Sequence, residues 1–275
     1  MAIRRQPVAP DLGRWKPVIR AYPENMEVLT EHGFLSLRDL HNSSILGKEL
    51  PFNGRQISPP MIPMKELDWN QWETNEDFPL VASVNPLSGE VTYVKPSAFQ
   101  MFNYTGEKLI NVKAKGVDIL TTVFADLLLK PKYARGWKFI LADNLALNKA
   151  SNATQFLINK FSQDLYGDYV PLEGLKALLD TPITLYPSKH VKYKNIWDIF
   201  SYPKVLDASG KMVSVDRVRN EVICYSLVIP GHHNMIVRRE RKDNNPRTLW
   251  VGSPVVVGDG SDKSLVRINA IKKGR

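Results

Sequence analysis

The sequence predicts a mainly β protein, a compact β core with a small helical insertion and extended termini, and three observations carry that prediction. Apolar and polar residues alternate in many stretches, as in MEVLTEHGFLSLRDL around Gly33, and a period of two is that of a strand with one buried face. Turn chemistry recurs at short intervals, at Asn85 to Gly89, at Gly106 and at Gly116, which suits antiparallel strands joined by hairpins. Only between about 150 and 200 does the spacing become helical, through Phe156, Leu157 and Phe161 and then Leu172, Leu175 and Leu179.

Taken in order, residues 1–20 hold three prolines, a tryptophan and no period, so they predict an extended arm that orders against something else. From Glu27 a hairpin follows, with Val28, Leu29, Phe34 and Leu37 expected on one core. Residues 50–79 are rich in proline and hold Trp69 and Trp72; prolines cannot donate to a sheet ladder, so a surface excursion is expected. LVASVNPLSGEVTYVKP predicts a second hairpin, and MFNYTGEKLINVKAKGVDILTTVFADLLLKP further strands. After the insertion, VRNEVICYSLVIPGHHNMIVRRERKDNNPRTLWVGSPVVVGDG returns to alternation around the polar tip KDNNPR. The expected organisation is an arm over 1–20, one β domain over 21–252 and a basic tail over 253–275.

Bulk properties narrow the classes. The chain has 275 residues, 43% of them hydrophobic and 24% charged, which is ordinary for a globular protein. No apolar run approaches the roughly 20 residues that span a bilayer, and MAIRRQPVAP lacks the apolar core of a secretory signal. A cytoplasmic or virion location is expected. One cysteine, Cys224, allows no internal disulfide. Lys and Arg outnumber Asp and Glu by 37 to 28, an excess that suits solubility and also contact with an anionic partner. That excess is clustered at RRERK (238–242) with Arg247, and at the C-terminal INAIKKGR.

Four segments, in order, carry a family resemblance. AYPENMEVLTEHGF resembles the first motif of inteins and hedgehog-type autoprocessing domains, the Hint fold, in which a Cys or Ser stands ahead of a V-L-T…G pattern. VASVNPLSGEVTYVKP is similar to the family's hairpin around T-G-E-V. YTGEKLINVKAKGVDILTTVFADLLLK resembles the region that runs from Y-x-G-E to T-x-x-H and a leucine-rich strand. CYSLVIPGHHNMIV is similar to the late motif ending in G-x-H-N-F. The resemblance covers about half the chain and implies a Hint-like β core.

It also implies acyl-transfer chemistry. In the family, a thiol or hydroxyl at the first position attacks the preceding peptide carbonyl, turning an amide into a labile ester or thioester. The T-x-x-H histidine protonates or polarises the scissile amide, and a terminal Asn cyclises to release the chain. Here Ala21 stands at the first-nucleophile position. Thr122 is kept from T-x-x-H, but Ala125 stands where the imidazole belongs. Ser226 replaces a common aspartate, and His233 with Asn234 matches the late H-N pair. The C-terminal junction aligns with Val251, Gly252 and Ser253, of which Ser253 alone is a competent group. No catalytic residue is expected, because each step requires an atom that these positions lack.

Other candidates read blandly. LEGLKALLD (172–180) echoes the LAGLIDADG helix of homing endonucleases, but Leu179 stands where a metal-binding acid is needed, so an amphipathic helix is expected. His232 and His233 are adjacent, and on a strand they would point to opposite faces. No metal and no cofactor are expected. Cys224 reads as a core thiol. The candidate partner or phosphate contacts are Arg238, Arg239, Arg241, Lys242 and Arg247, diluted by Glu240 and Asp243.

The leading expectation is a non-catalytic structural or docking module in a larger assembly, in a phage virion or packaging setting, since Hint domains recur in phage and mobile-element proteins. Protein partners are expected, and no membrane. Two alternatives stay open: an autoprocessing domain trapped by alanine substitutions, and a nucleic-acid-associated accessory protein.

Overall fold

The computed structural model describes residues 21–42, 46–49, 69–105, 108–123, 125–147, 155–159, 182–195, 204–206, 209, 212–214, 221–239 and 255–258. Within them the chain is mainly β, as the alternation predicts. Strands are numbered along the chain. One sheet runs in the order β1 (Tyr22–Pro23), β18 (Glu221–Val228), β8 (Ala98–Thr105), β5 (Trp69–Thr74), β4 (Leu46–Glu49). The largest runs β14 (Pro182–Leu185), β13 (Phe156–Asn159), β11 (Asp126–Pro131), β20 (Val255–Gly258), β19 (Asn234–Arg239), β2 (Met26–Thr30), β6 (Val81–Val84), β7 (Val91–Val94). On it, β12 (Lys138–Leu141) pairs with β11 and β3 (Gly33–Ser36) with β2. A third sheet joins β10 (Val117–Thr121), β9 (Leu109–Ala114) and β15 (Val191–Lys194), and β16 (Lys204–Leu206) pairs with β17 (Met212–Ser214). Three short helices complete the described residues: α1 (Leu37–Asn42), α2 (Ala142–Leu147) and α3 (Pro187–His190). No helix among them is long and apolar enough to cross a membrane.

Local chemistry sets the turns. Thr30 Oγ1 accepts from the His32 N–H at 3.2 Å and donates to the Gly33 carbonyl at 2.8 Å, and Gly33 adopts φ 88, a left-handed backbone that glycine reaches without a Cβ clash. Asn85 Oδ1 accepts from the amides of Leu87 and Ser88 at 2.9 and 3.3 Å, an Asx turn that folds β6 back onto β7.

The strands β2, β6, β11, β19 and β20 of the large sheet divide their side chains between two cores, because successive residues point to opposite faces. Met26 and Val28 enter the larger core with Val237, Val255 and Val257. Leu29 and Phe34 enter a smaller one with Ala82, Val84, Ile236 and Val256. Full burial of such a side chain stabilises the fold by about 1.5–3 kcal/mol. The single core expected for Val28, Leu29, Phe34 and Leu37 is therefore two, and Leu37 opens helix α1, whose Asp39 N–H donates to Ser36 Oγ at 3.4 Å.

Three further expectations are corrected. Trp69–Thr74 lies in the excursion read over 50–79, yet it is a strand between β8 and β4; the prolines fall before and after it, and none interrupts its ladder. Phe156 and Leu157, read as helical, are strand residues paired with β11 and β14, where cross-strand partners outweigh the local spacing. Phe161, Leu172, Leu175 and Leu179 lie outside the described residues. Finally, β20 sits between β11 and β19, so the large sheet continues beyond residue 252 into the stretch read as a tail.

Candidate functional site

Ala21 enters β1 fully buried and is held from both sides of its own backbone. Its N–H donates to Thr122 Oγ1 at 3.2 Å. Its carbonyl accepts from the Thr122 N–H at 3.1 Å and from Thr121 Oγ1 at 3.4 Å. Two consecutive threonines at the end of β10 thus grip one alanine. The segment that follows turns back at once, with the Ala125 N–H on the Thr122 carbonyl at 3.3 Å. Helix α2 braces this turn, its Ala142 and Asp143 amides donating to the carbonyls of Ala125 and Val123 at 2.8 and 3.0 Å. Tyr193 of β15 in turn donates to Asp143 Oδ1 at 2.7 Å, and burial first, then this bond, pushes the Tyr193 phenol up.

The last described strand arrives at the same place. The Tyr22 hydroxyl donates to the Gly258 carbonyl at 2.9 Å. Gly258 lies opposite Asn234 across β19, and a Cβ there would stand 3.1 Å from Asp126 Cβ, so glycine admits the close approach of β11. Asn234 is fully buried and clasps β6: Oδ1 accepts from the Val84 N–H and Nδ2 donates to the Val84 carbonyl, both at 2.8 Å.

The β1–β18 pairing sets Tyr22 opposite Tyr225 and Pro23 opposite Cys224, and Ser226, the next residue along β18, is itself buried. Cys224 is fully buried, and its thiol is pushed up by burial and then by the Glu24 carboxylate. Tyr225 is raised to about 12, mainly by burial. A thiol held in its protonated form is a weak nucleophile. At the centre of this convergence, positions 21 and 125 present methyl groups, which neither attack a carbonyl nor move a proton.

The fold is similar to that of inteins. An intein from a hyperthermophile matches 87% of this chain and 99% of its own at 11% identity, with a TM-score of 0.49. The TvoVMA intein matches 86% and 96% at 10% identity, TM-score 0.45, and a DnaB intein from Synechocystis sp. PCC 6803 matches 88% and 99% at 12% identity, TM-score 0.40. No model of a known protein family matches the sequence, and no curated protein matches it.

Of the intein-like positions named from the sequence, Ala21 and Ala125 are both bonded to Thr122, and Ser226 is buried on β18, the strand that pairs with β1. Gly252 and Ser253 fall outside the described residues. The strand that reaches the site among the described residues ends at Gly258, whose carbonyl meets the Tyr22 hydroxyl. Tyr22, Thr121 and Gly258 were missed from the sequence; the run Val255-Val256-Val257 closing on Gly258 was the available signal. His233 is exposed in the turn after β18 at φ 52, and β19 begins only at Asn234, so the strand geometry expected for His232 and His233 does not hold.

The proposed phosphate contacts also need correction. Arg238 is 1% exposed; its Nε donates to Glu27 Oε2, and its guanidinium lies 3.6 Å from the centre of the Phe34 ring. Arg239 donates to Asp118 Oδ1 at 3.0 Å. Arg238 is held inside by Glu27 on the neighbouring strand β2, and Arg239 is engaged by Asp118 on β10. Arg241, Lys242 and Arg247 lie outside the described residues. Among the described residues no group of three His, Cys, Asp or Glu side chains is placed to hold a metal.

Proposed function

We propose that this chain is a Hint-type domain without self-processing activity that serves as a structural or docking module in a larger assembly, in a phage virion or packaging setting. The observation that carries this reading is Ala21: buried at the head of β1, its amide on Thr122 Oγ1, with a methyl group where acyl transfer would have to begin. Ala125 supports it, since no imidazole is there to protonate a departing amide nitrogen. With both groups gone the site offers shape and hydrogen bonds.

A second reading, an autoprocessing domain carrying alanines at its reactive positions, is favoured by the intact threonine grip on the Ala21 backbone. One experiment separates them. The intact mass of the purified chain and of the A21C/A125H variant is followed over a day. The first reading expects a single unchanged mass for both. Cleavage of the variant next to residue 21 supports the second, and cleavage of the unaltered chain overturns the first outright. For the assembly role, mass spectrometry of purified particles is expected to find the chain at a fixed ratio to a capsid or packaging protein; its absence from them would remove that part.

A further inference from the structure

The β11–β12 hairpin is absorbed neither by the site nor by the basic cluster at 238–242. Between β11 and β12 the chain reads Lys-Tyr-Ala-Arg-Gly-Trp (132–137), turning on the Ala134 N–H bonded to the Pro131 carbonyl at 2.9 Å. Tyr133 is 88% exposed, and Lys132 Nζ stands 5.5 Å from the centre of its ring. Arg135 is exposed beside them. An aromatic ring so fully in water costs hydrophobic free energy unless something covers it.

A second pair of the same kind lies at the same end of the sheet. The strand registers align Pro131 with Phe156 and Phe156 with Leu185, so the next row runs through Lys132, Gln155 and Tyr186. Hydrogen bonds follow that row: the Lys132 N–H donates to the Gln155 carbonyl at 2.9 Å, and Gln155 Nε2 donates to the Tyr186 hydroxyl at 3.4 Å. Over the Tyr186 ring stands Lys189 Nζ, 5.8 Å from its centre. Residues 127–142, 155–159 and 182–195, the segments that build this end, contain no Asp or Glu. Among the described residues no carboxylate pairs with Lys132, Arg135 or Lys189.

We propose that this end of the large sheet, with Lys132, Tyr133, Arg135, Tyr186 and Lys189, binds single-stranded nucleic acid. Cations without carboxylate partners neutralise backbone phosphates, and an open tyrosine face stacks a base whatever its identity. A duplex keeps its base faces stacked on one another, and carboxylate side chains are repelled by the negative face of the ring. The single-stranded ligand answers to both features. The surface is separate from Ala21 and Thr122, so the proposal stands whether or not the chain processes itself.

The test uses the full chain and a fluorescent oligothymidylate of about 20 nucleotides, long enough for the 4–16 nucleotides that single-strand sites of this kind span. Anisotropy is read over a series of salt concentrations. Binding that weakens with salt is expected. The K132A/R135A variant is expected to bind about tenfold more weakly and to lower the salt slope by about 1.4, two phosphate contacts on a single strand. Y133A is expected to bind about tenfold more weakly with the slope unchanged, and Y133F to bind as the original does. All of these positions are at the surface, and unchanged thermal melts would show that the variants fold. The proposal is overturned if the original chain does not bind at low salt, if binding ignores all three substitutions, or if polyglutamate at equal charge displaces the oligonucleotide, which would mark an acidic protein as the partner.

Discussion

The Tyr22 hydroxyl donates to the Gly258 carbonyl across 2.9 Å, and that bond ties the first described strand to the last. Tyr22 is fully buried and Gly258 is buried with it. Replacing Tyr22 by Phe leaves the carbonyl without this donor, at a cost of about 1–3 kcal/mol. G258A tests the other side of the contact, because its methyl group meets Asp126 Cβ at 3.1 Å, and a loss of about 1–3 kcal/mol is expected from overpacking. Urea midpoints check both, and unchanged midpoints would mean that the first and last described strands are not held together here.

The buried pair Glu27–Arg238 yields a sharper contrast. The two residues lie opposite one another across β2 and β19, with the guanidinium over Phe34. Removing one partner, as in E27A, strands a charge inside the sheet and is expected to cost about 3–5 kcal/mol. The double substitution E27L/R238M removes both charges and restores apolar volume, so it should lie much nearer the original stability. A double variant as unstable as the single one would show that packing around Phe34, and not the stranded charge, sets the cost.

A pH dependence follows from His190. Its Nδ1 accepts from the Tyr186 N–H at 3.0 Å, which requires an unprotonated nitrogen. Burial first, and then the Lys189 ammonium, hold its pKa below the usual value of 6.5. The unfolded chain therefore takes up a proton at higher pH than the folded one. Between the two values the unfolded state binds more protons, so stability falls as pH falls. The contribution is fully present above about 6.5 and is lost as pH drops through the lower folded value. Melting temperatures from about pH 7.5 to 5 should decline, and H190Q should flatten that decline; an equal slope in both proteins would count against this assignment.

Much of this was legible from the residues in order. Alternation located the hairpin around Gly33 and the one around Asn85, because the period of two and the turn residues act over a few positions. The first half of the candidate site was legible too, as Ala21, Thr122 and Ala125. Its closing end was not. Gly258 carries no side chain to attract notice, and its meaning lies in what approaches it: Tyr22, Asp126 and Asn234 from three other strands. Arg238 misled for a related reason, since a run of cations looks solvated until the strand beside it is seen to supply Glu27.

Local pattern by itself determined the hairpins around Gly33 and Asn85, and that methyl groups stand at 21 and 125, because steric preference, burial period and residue identity are read one neighbourhood at a time. Only the tertiary structure decided which ends meet. Ala21 and Thr122 are 101 positions apart, Tyr22 and Gly258 are 236, and no short-range preference acts across such separations; antiparallel pairing and the shared burial of facing side chains bring them together.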